Sequence, residues 1–252
     1  MTREELLQRL QTKKNKNVPI IGTHAGSDYG AKAFEAGADF AVIYHATAYR
    51  KTGHGLLAGL LSYGDANGMI EQMGHEALPE AGKNGPLFAG ICGTDPYRVM
   101  DIFLKRIISI GFLGVQNFPT VGFVDGTFRQ HLHEADLDYD HEVLLIAKAH
   151  ELGLFTCPIV FDADQASDMA SAGADVLVLH PGLHLLRQEY DEEALEDTVA
   201  RLESIIEAAR SISPEIFVLL AGTELLKAET EDTLFAMMPN LDGFFHMEPP
   251  ED

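Results

Sequence analysis

Residues 36–45 read AGADFAVIYH and residues 172–180 read AGADVLVLH, so a small-residue turn leads twice into an unbroken apolar run. A strand with one face in water alternates apolar and polar side chains. A continuous run suits a strand buried on both faces, as in a parallel sheet covered by helices. Comparable runs occur at VPIIG (18–22), PLFAGI (86–91), GFLGVQ (111–116), LFTCPIVF (154–161), EIFVLLA (215–221) and GFFHM (243–247). Together with the two phrases they make eight candidate strands. Helical stretches separate most of them, among them RVMDIFLKRIISI (98–110), HEVLLIAKAHEL (141–152) and EALEDTVARLESIIEAARSI (193–212). This alternation predicts an α/β protein, one (β/α)8 barrel over residues 1–252, with an N-terminal helix and a shortened or atypical C-terminal end. With no obvious eighth helix, that N-terminal helix or a neighbouring subunit is expected to complete the outer ring.

Phase then sorts the residues at the ends of the two phrases. AGAD belongs to the structural floor of such a barrel, and the end of each run belongs to the mouth, where barrel sites form. His180 lies five positions after Asp175, whereas His45 lies six after Asp39. Side chains alternate along a strand, so Tyr44 and His180 are expected to face inward and His45 the other way.

Two connections are long. ATAYRKTGHGLLAGLLSYGD follows the second strand and NFPTVGFVDGTFRQHLHEADLDY the fourth, both at the mouth. They carry Tyr49, Arg50, His54, Asn117, Asp125 and Arg129, polar groups suited to a small anion, with Arg50 or Arg129 gripping a carboxylate. Each has a bland rival. Arg50 also reads as a solvated loop cation, His54 as exposed loop, and Asp125-Gly126 as a turn. Asp95 before Pro96 reads as a helix cap, and Asp162 with Gln165 as a capping box. Cys92 reads as a small buried residue with no adjacent base.

The formal net charge of −21 argues against nucleic acid and anionic membrane surfaces as partners. Two distant cysteines, Cys92 and Cys157, suit a reducing compartment. MTREELLQRL is no signal peptide, and no apolar run reaches membrane-helix length, so a cytoplasmic location is expected. His24, His45, His180 and His246 fall near strand ends. Three or four of them suit Zn²⁺, whereas Mg²⁺ would prefer Asp95 or Asp125. The chain lacks HExxH, and the cofactor, a divalent metal if any, stays open.

At IYHATAYRKTGHGLLAGLLSYGDAN (43–67), AGICGTDP (89–96), GFLGVQNFPTVGFVDGTFRQ (111–130) and AGADVLVLHPGL (172–183) the chain resembles the phosphoenolpyruvate hydrolase-like family. The resemblance implies a TIM barrel related to the phosphoenolpyruvate mutase and isocitrate lyase group, which handles small 2-oxo acids or enolates, often with Mg²⁺, commonly as oligomers. The chain departs from that pattern in places. Tyr44, His45, Ala46 and Thr47 stand where the family has Tyr-Asn-Ser-Gly. LHLLRQEYDEE, AGTELLK and FFHMEPPED replace glycine-containing loops that would cradle a phosphate, so a phosphorylated substrate is not expected.

The reading that follows is a hydrolase or lyase acting on a small oxo-acid-like or enolisable molecule, expected to form homo-oligomers. Arg50 and Arg129, with Asp125 and His54 nearby, orient the substrate, and Asn117 polarises its carbonyl or enolate. His180 is the acid/base, because unperturbed imidazole titrates near neutrality, and Tyr44 is a hydrogen-bond donor or secondary acid. Two alternatives remain: a metal-dependent hydrolase built on His24, His180 and His246, and a ligand-binding or regulatory barrel without chemistry.

Overall fold

The computed structural model describes residues 1–50, 52–79, 81–181, 192–222, 233 and 235–247. Nine parallel strand segments form one sheet: β1 (Ile20–His24), β2 (Phe40–Ile43), β3 (Leu87–Gly90), β4 (Gly114–Gln116), β5 (Phe155–Thr156), β6 (Ile159–Val160), β7 (Val176–Leu179), β8 (Phe217–Gly222) and β9 (Gly243–His246). Their order is β5-β4-β3-β2-β1-β9-β8-β7-β6. The two ends of that order are halves of one stretch, 154–161, which the sequence presents as a single run. Pro158 has no N–H to give the ladder, and the stretch changes partners there. On one side Cys157 N donates to Val115 O at 3.0 Å, and on the other Val178 N donates to Pro158 O at 2.8 Å. The sheet therefore curls round until its ends meet, and nine segments occupy eight strand positions.

Alternation gives the sheet two apolar faces. Phe40, Val42, Tyr44, Val176 and Val178 join the interior cluster, while Ala41, Ile43, Leu177 and Leu179 pack outward. The outward set meets helices that include α2 (Ala31–Glu35), α4 (Ala66–Ala77), α5 (Met100–Ile110), α7 (Asp140–Glu151), α8 (Ala163–Ser171) and α9 (Glu192–Ile212). Inside, Phe40 stacks on Phe88 at 4.8 Å and Phe88 on Phe155 at 5.1 Å. Room for these rings comes from missing side chains: a Cβ on Gly22 would stand 2.5 Å from Phe40 Cζ.

Helix α1 (Arg3–Asn15) corrects one expectation, because it closes the floor rather than extending the outer ring. Leu6 and Leu10, both fully buried, belong to the interior cluster. Its cations reach three aspartates that precede strands: Arg3 pairs with Asp175 at 2.5 Å, Lys13 with Asp39 at 2.5 Å and Lys14 with Asp242 at 3.0 Å. Each carboxylate also accepts an N–H from the neighbouring strand, Ile21 N on Asp39 at 2.9 Å, Thr156 N on Asp175 at 3.0 Å and Val218 N on Asp242 at 2.9 Å. The repeated AGAD is thus a floor device. The Asp ties its own strand to the next and offers the helix a buried anion.

At the opposite end lie the two long connections. The first holds α3 (Thr47–Arg50) and a short 3-10 turn, Leu56–Leu60. The second holds a turn at Val121–Phe123 and α6 (Gly126–Glu134). The divergent loops after β7 and β8, and residues 248–252, lie outside the described residues. Among the described residues no helix is long and apolar enough to cross a membrane.

Candidate functional site at the barrel mouth

Tyr44 extends the phase of Phe40 and Val42 into the barrel, and His180 extends that of Val176 and Val178. Tyr44 is fully buried, and its hydroxyl donates to Gln116 Oε1. Its ring packs on Phe118 at 4.1 Å and stacks on His24 at 4.7 Å. A Cβ on Gly90 would stand 2.6 Å from Tyr44 Cδ1, so the glycine in β3 admits the ring. Burial raises the Tyr44 phenol well above its ordinary value. It is a fixed hydrogen-bond donor rather than a ready acid.

His24 ends β1 and is fully buried. Its Nε2 lies 2.7 Å from Thr47 Oγ1, while Nδ1 has no hydrogen-bond partner among the described residues. Burial, aided by the positive charge of Arg50, lowers this imidazole to about 3. His24 is therefore neutral, with one nitrogen held and the other buried without a hydrogen-bond partner among the described residues. Arg50, at the end of α3, supplies the cation beside it.

His45 points the other way, under the first long connection, where its Nε2 donates to Gly59 O at 3.1 Å. Burial lowers it to about 4. His180 stands between two aromatic rings, edge-on to Phe123 at 4.8 Å and tilted to Phe161 at 5.3 Å. Burial lowers it to about 4 as well. The premise of an unperturbed imidazole titrating near neutrality is thereby corrected, since at pH 7 His180 is a neutral, weak base.

The remaining candidates disperse. Asn117 accepts from Ile159 N at 2.6 Å and donates to Glu142 Oε2 at 2.5 Å, so its amide is engaged in the seam between β4 and β6. Arg129 donates to Val121 O at 2.5 Å and lies over the Tyr139 ring, with its charge directed at Glu142. The two arginines thus serve different groups, His24 in one case and Glu142 in the other. Asp125 is exposed ahead of α6, with Gly126 at φ 58°, a turn. His54 is exposed and bonds Thr52 at 3.0 Å.

Asp95 does not cap a helix, because α5 begins at Met100 with Val99 before it. It accepts instead from Tyr97 N at 2.8 Å, Asn67 Nδ2 at 2.8 Å and Arg98 at 2.7 Å. Asp162 does cap α8, accepting from Gln165 N at 2.8 Å. Burial pushes the Cys92 thiol up, away from thiolate chemistry. Among the described residues no three His, Cys, Asp or Glu side chains gather to hold a metal ion. With His24 Nε2 on Thr47 and His180 between phenyl rings, the histidine-metal arrangement is not assembled. Of the two carboxylates expected to suit Mg²⁺, Asp95 accepts from Asn67, Tyr97 and Arg98, Asp125 is exposed, and neither belongs to a group of three possible ligands among the described residues.

Sequence reasoning passed over Glu142. In DYDHEVLL it reads as a charge in a helix's first turn, yet it is fully buried, bonded to Val121 N at 2.8 Å and to Asn117. Burial raises it to about 7. The apolar stripe of α7 was the available signal, since Glu142 lies three and four residues before Leu145 and Ile146, both buried.

Comparison with known proteins adds four findings. A family model described as phosphoenolpyruvate hydrolase-like matches residues 5–248. The ToMV susceptible protein tm-1(GCR26) of Solanum lycopersicum is 42% identical over 243 residues, covering 95% of this chain and 32% of that protein. The chain thus spans about a third of the length of this curated relative. Among solved structures, oxaloacetate acetylhydrolase superposes with a TM-score of 0.57 at 14% identity, covering 95% of this chain and 79% of that one. A 2,3-dimethylmalate lyase of the PEP mutase/isocitrate lyase superfamily gives 0.55 at 12% identity, covering 98% and 81%. At such identities the likeness is one of fold.

Proposed function

From the premise that the chain belongs to the phosphoenolpyruvate hydrolase-like family, we propose that it is an enzyme of hydrolase or lyase type. Its substrate is a small oxo-acid-like or enolisable molecule, taken at the C-terminal mouth of the barrel. The observation that carries this reading is His24, fully buried and neutral beside a cation, with one nitrogen on Thr47 and one without a protein partner. A neutral imidazole can donate to a carbonyl oxygen that becomes an enolate, and a guanidinium can hold the adjacent carboxylate.

The steps follow from these groups. Arg50 orients the carboxylate, and His24 polarises the carbonyl. His180, neutral above about pH 4, takes a proton from the carbon next to the carbonyl. The C–H electron pair becomes the enolate, stabilised by Arg50 and His24, and proton return restores both partners. Because His180 is a weak base, most of the barrier must be lowered by stabilising the enolate. Asn117 and Glu142 act behind the mouth by fixing β4 against β6. No step is assigned to Mg²⁺ or Zn²⁺.

The test is hydrogen–deuterium exchange at the carbon next to the carbonyl of 2-oxo acids, followed by proton NMR. The wild-type chain should exceed the buffer rate, and His180→Ala should lower the enzymatic part by roughly 10²–10⁴-fold. No acceleration with any 2-oxo acid would falsify the enzyme reading. The second reading, a ligand-binding barrel, is favoured by the 42%-identical relative, whose name denotes ToMV susceptibility rather than a reaction. Saturable binding without exchange would select it.

A further inference from the structure

The mouth has two unlike walls. In the closed order β1 stands opposite the β5–β6 stretch, and β2 stands opposite β7. His24 at the end of β1 and Arg50 after β2 therefore face Phe161 after β6 and His180 after β7. The first wall carries a cation and a buried nitrogen without a hydrogen-bond partner among the described residues.

The second wall is aromatic. Phe123 packs edge-to-face on Phe161 at 4.9 Å and on His180 at 4.8 Å, and both phenylalanines are only partly buried. The second long connection is shaped to put Phe123 there: a Cβ on Gly122 would stand 2.1 Å from Phe161 Cε2, so only glycine lets the turn lie against that ring. Among the described residues this wall offers a ligand two phenyl rings and a neutral imidazole. A second or third negative charge on a substrate would find the nearby guanidiniums of Arg201 and Arg129 donating to Pro181 O and Val121 O, within a molecule of net charge −21.

We propose that the mouth takes a 2-oxo monocarboxylate with an apolar, preferentially aromatic tail, its carboxylate toward Arg50 and its tail against Phe123 and Phe161. This rests on the oxo-acid reading above and adds the tail. It also fits the position of His180. The carbon that loses the proton lies between carbonyl and tail, and His180 stands on the wall that takes the tail.

Isothermal calorimetry with pyruvate, phenylpyruvate and oxaloacetate tests it. Burying a phenyl group between two rings is expected to make phenylpyruvate bind at least about tenfold tighter than pyruvate. Oxaloacetate, a dianion, should bind more weakly than phenylpyruvate. Phe123→Ala should reduce the phenylpyruvate-to-pyruvate affinity ratio by about tenfold, with Phe123→Leu between it and wild type. Equal affinities for the two monocarboxylates, tightest binding of oxaloacetate, no binding of any probe, or an unchanged ratio in folded Phe123→Ala would each overturn the proposal. Exchange without tail preference sinks this inference and leaves the enzyme reading intact. Tail-dependent binding without exchange does the reverse.

Discussion

Glu142 and the buried histidines respond to pH with opposite signs. Burial raises Glu142 from 4.5 to about 7, so between those values the folded protein keeps a proton that the unfolded chain releases. Its contribution is complete below the unfolded value and is lost as pH rises through about 7. His24 and His180 are lowered from 6.5 to about 3 and about 4, so there the unfolded chain binds protons that the folded one refuses. Stability falls as pH drops below 6.5 on their account. Glu142→Gln should cost stability throughout, because an amide cannot accept from both Val121 N and Asn117. It should also flatten the decline on the alkaline side. Urea unfolding at about pH 5 and about pH 8 checks this, and a variant keeping the wild-type difference would clear Glu142 as its source. The facing of Tyr44 was legible in sequence, because strand period is fixed and Asp39 marks its start. The protonation of His180 was not, because Phe123 lies far from it in sequence and Phe161 on another strand.

At the scale of elements, α1 shows what a local pattern conceals. Its two buried leucines and four cations, Arg3, Arg9, Lys13 and Lys14, read as an ordinary amphipathic helix. Nothing nearby says that the cations seek aspartates at 39, 175 and 242, so the sequence leaves the outer ring to this helix or to a neighbouring subunit. Likewise LFTCPIVF reads as one strand, and only the sheet shows that Pro158 divides its partners. Leu10→Ala should destabilise by about 2–5 kcal/mol, as expected when a large core side chain is removed. Asp175→Ala should cost about 3 kcal/mol, because it strands the part-buried Arg3 and the Thr156 N–H. Chemical denaturation of both variants measures these losses. A loss under about 0.5 kcal/mol in either would mean that the floor contact adds little.

For the whole molecule, eight buried runs alternating with helices were enough to foresee the closed sheet, because eight such repeats over this length fit a (β/α)8 barrel. The charge has a kinetic effect. A net −21 repels an approaching anion until it reaches the field of Arg50. Salt screens the long-range repulsion more than the short-range attraction, so phenylpyruvate association should quicken between about 0.01 and about 0.15 M salt. Stopped-flow mixing across that range tests it, and a rate that falls with salt would show that the local cation governs the approach.

The floor clamp also bears on the order of folding. Arg3 and Asp175 are 172 positions apart, and Lys14 reaches Asp242, beside the last described strand. During synthesis the first helix emerges long before its partners exist, and its leucines have no barrel to enter. Contacts this distant in sequence raise the contact order and slow the search for the native topology. Until the final strand is in place, the helix must wait with its apolar face uncovered, a state in which a chaperone or a misplaced neighbour can bind it first.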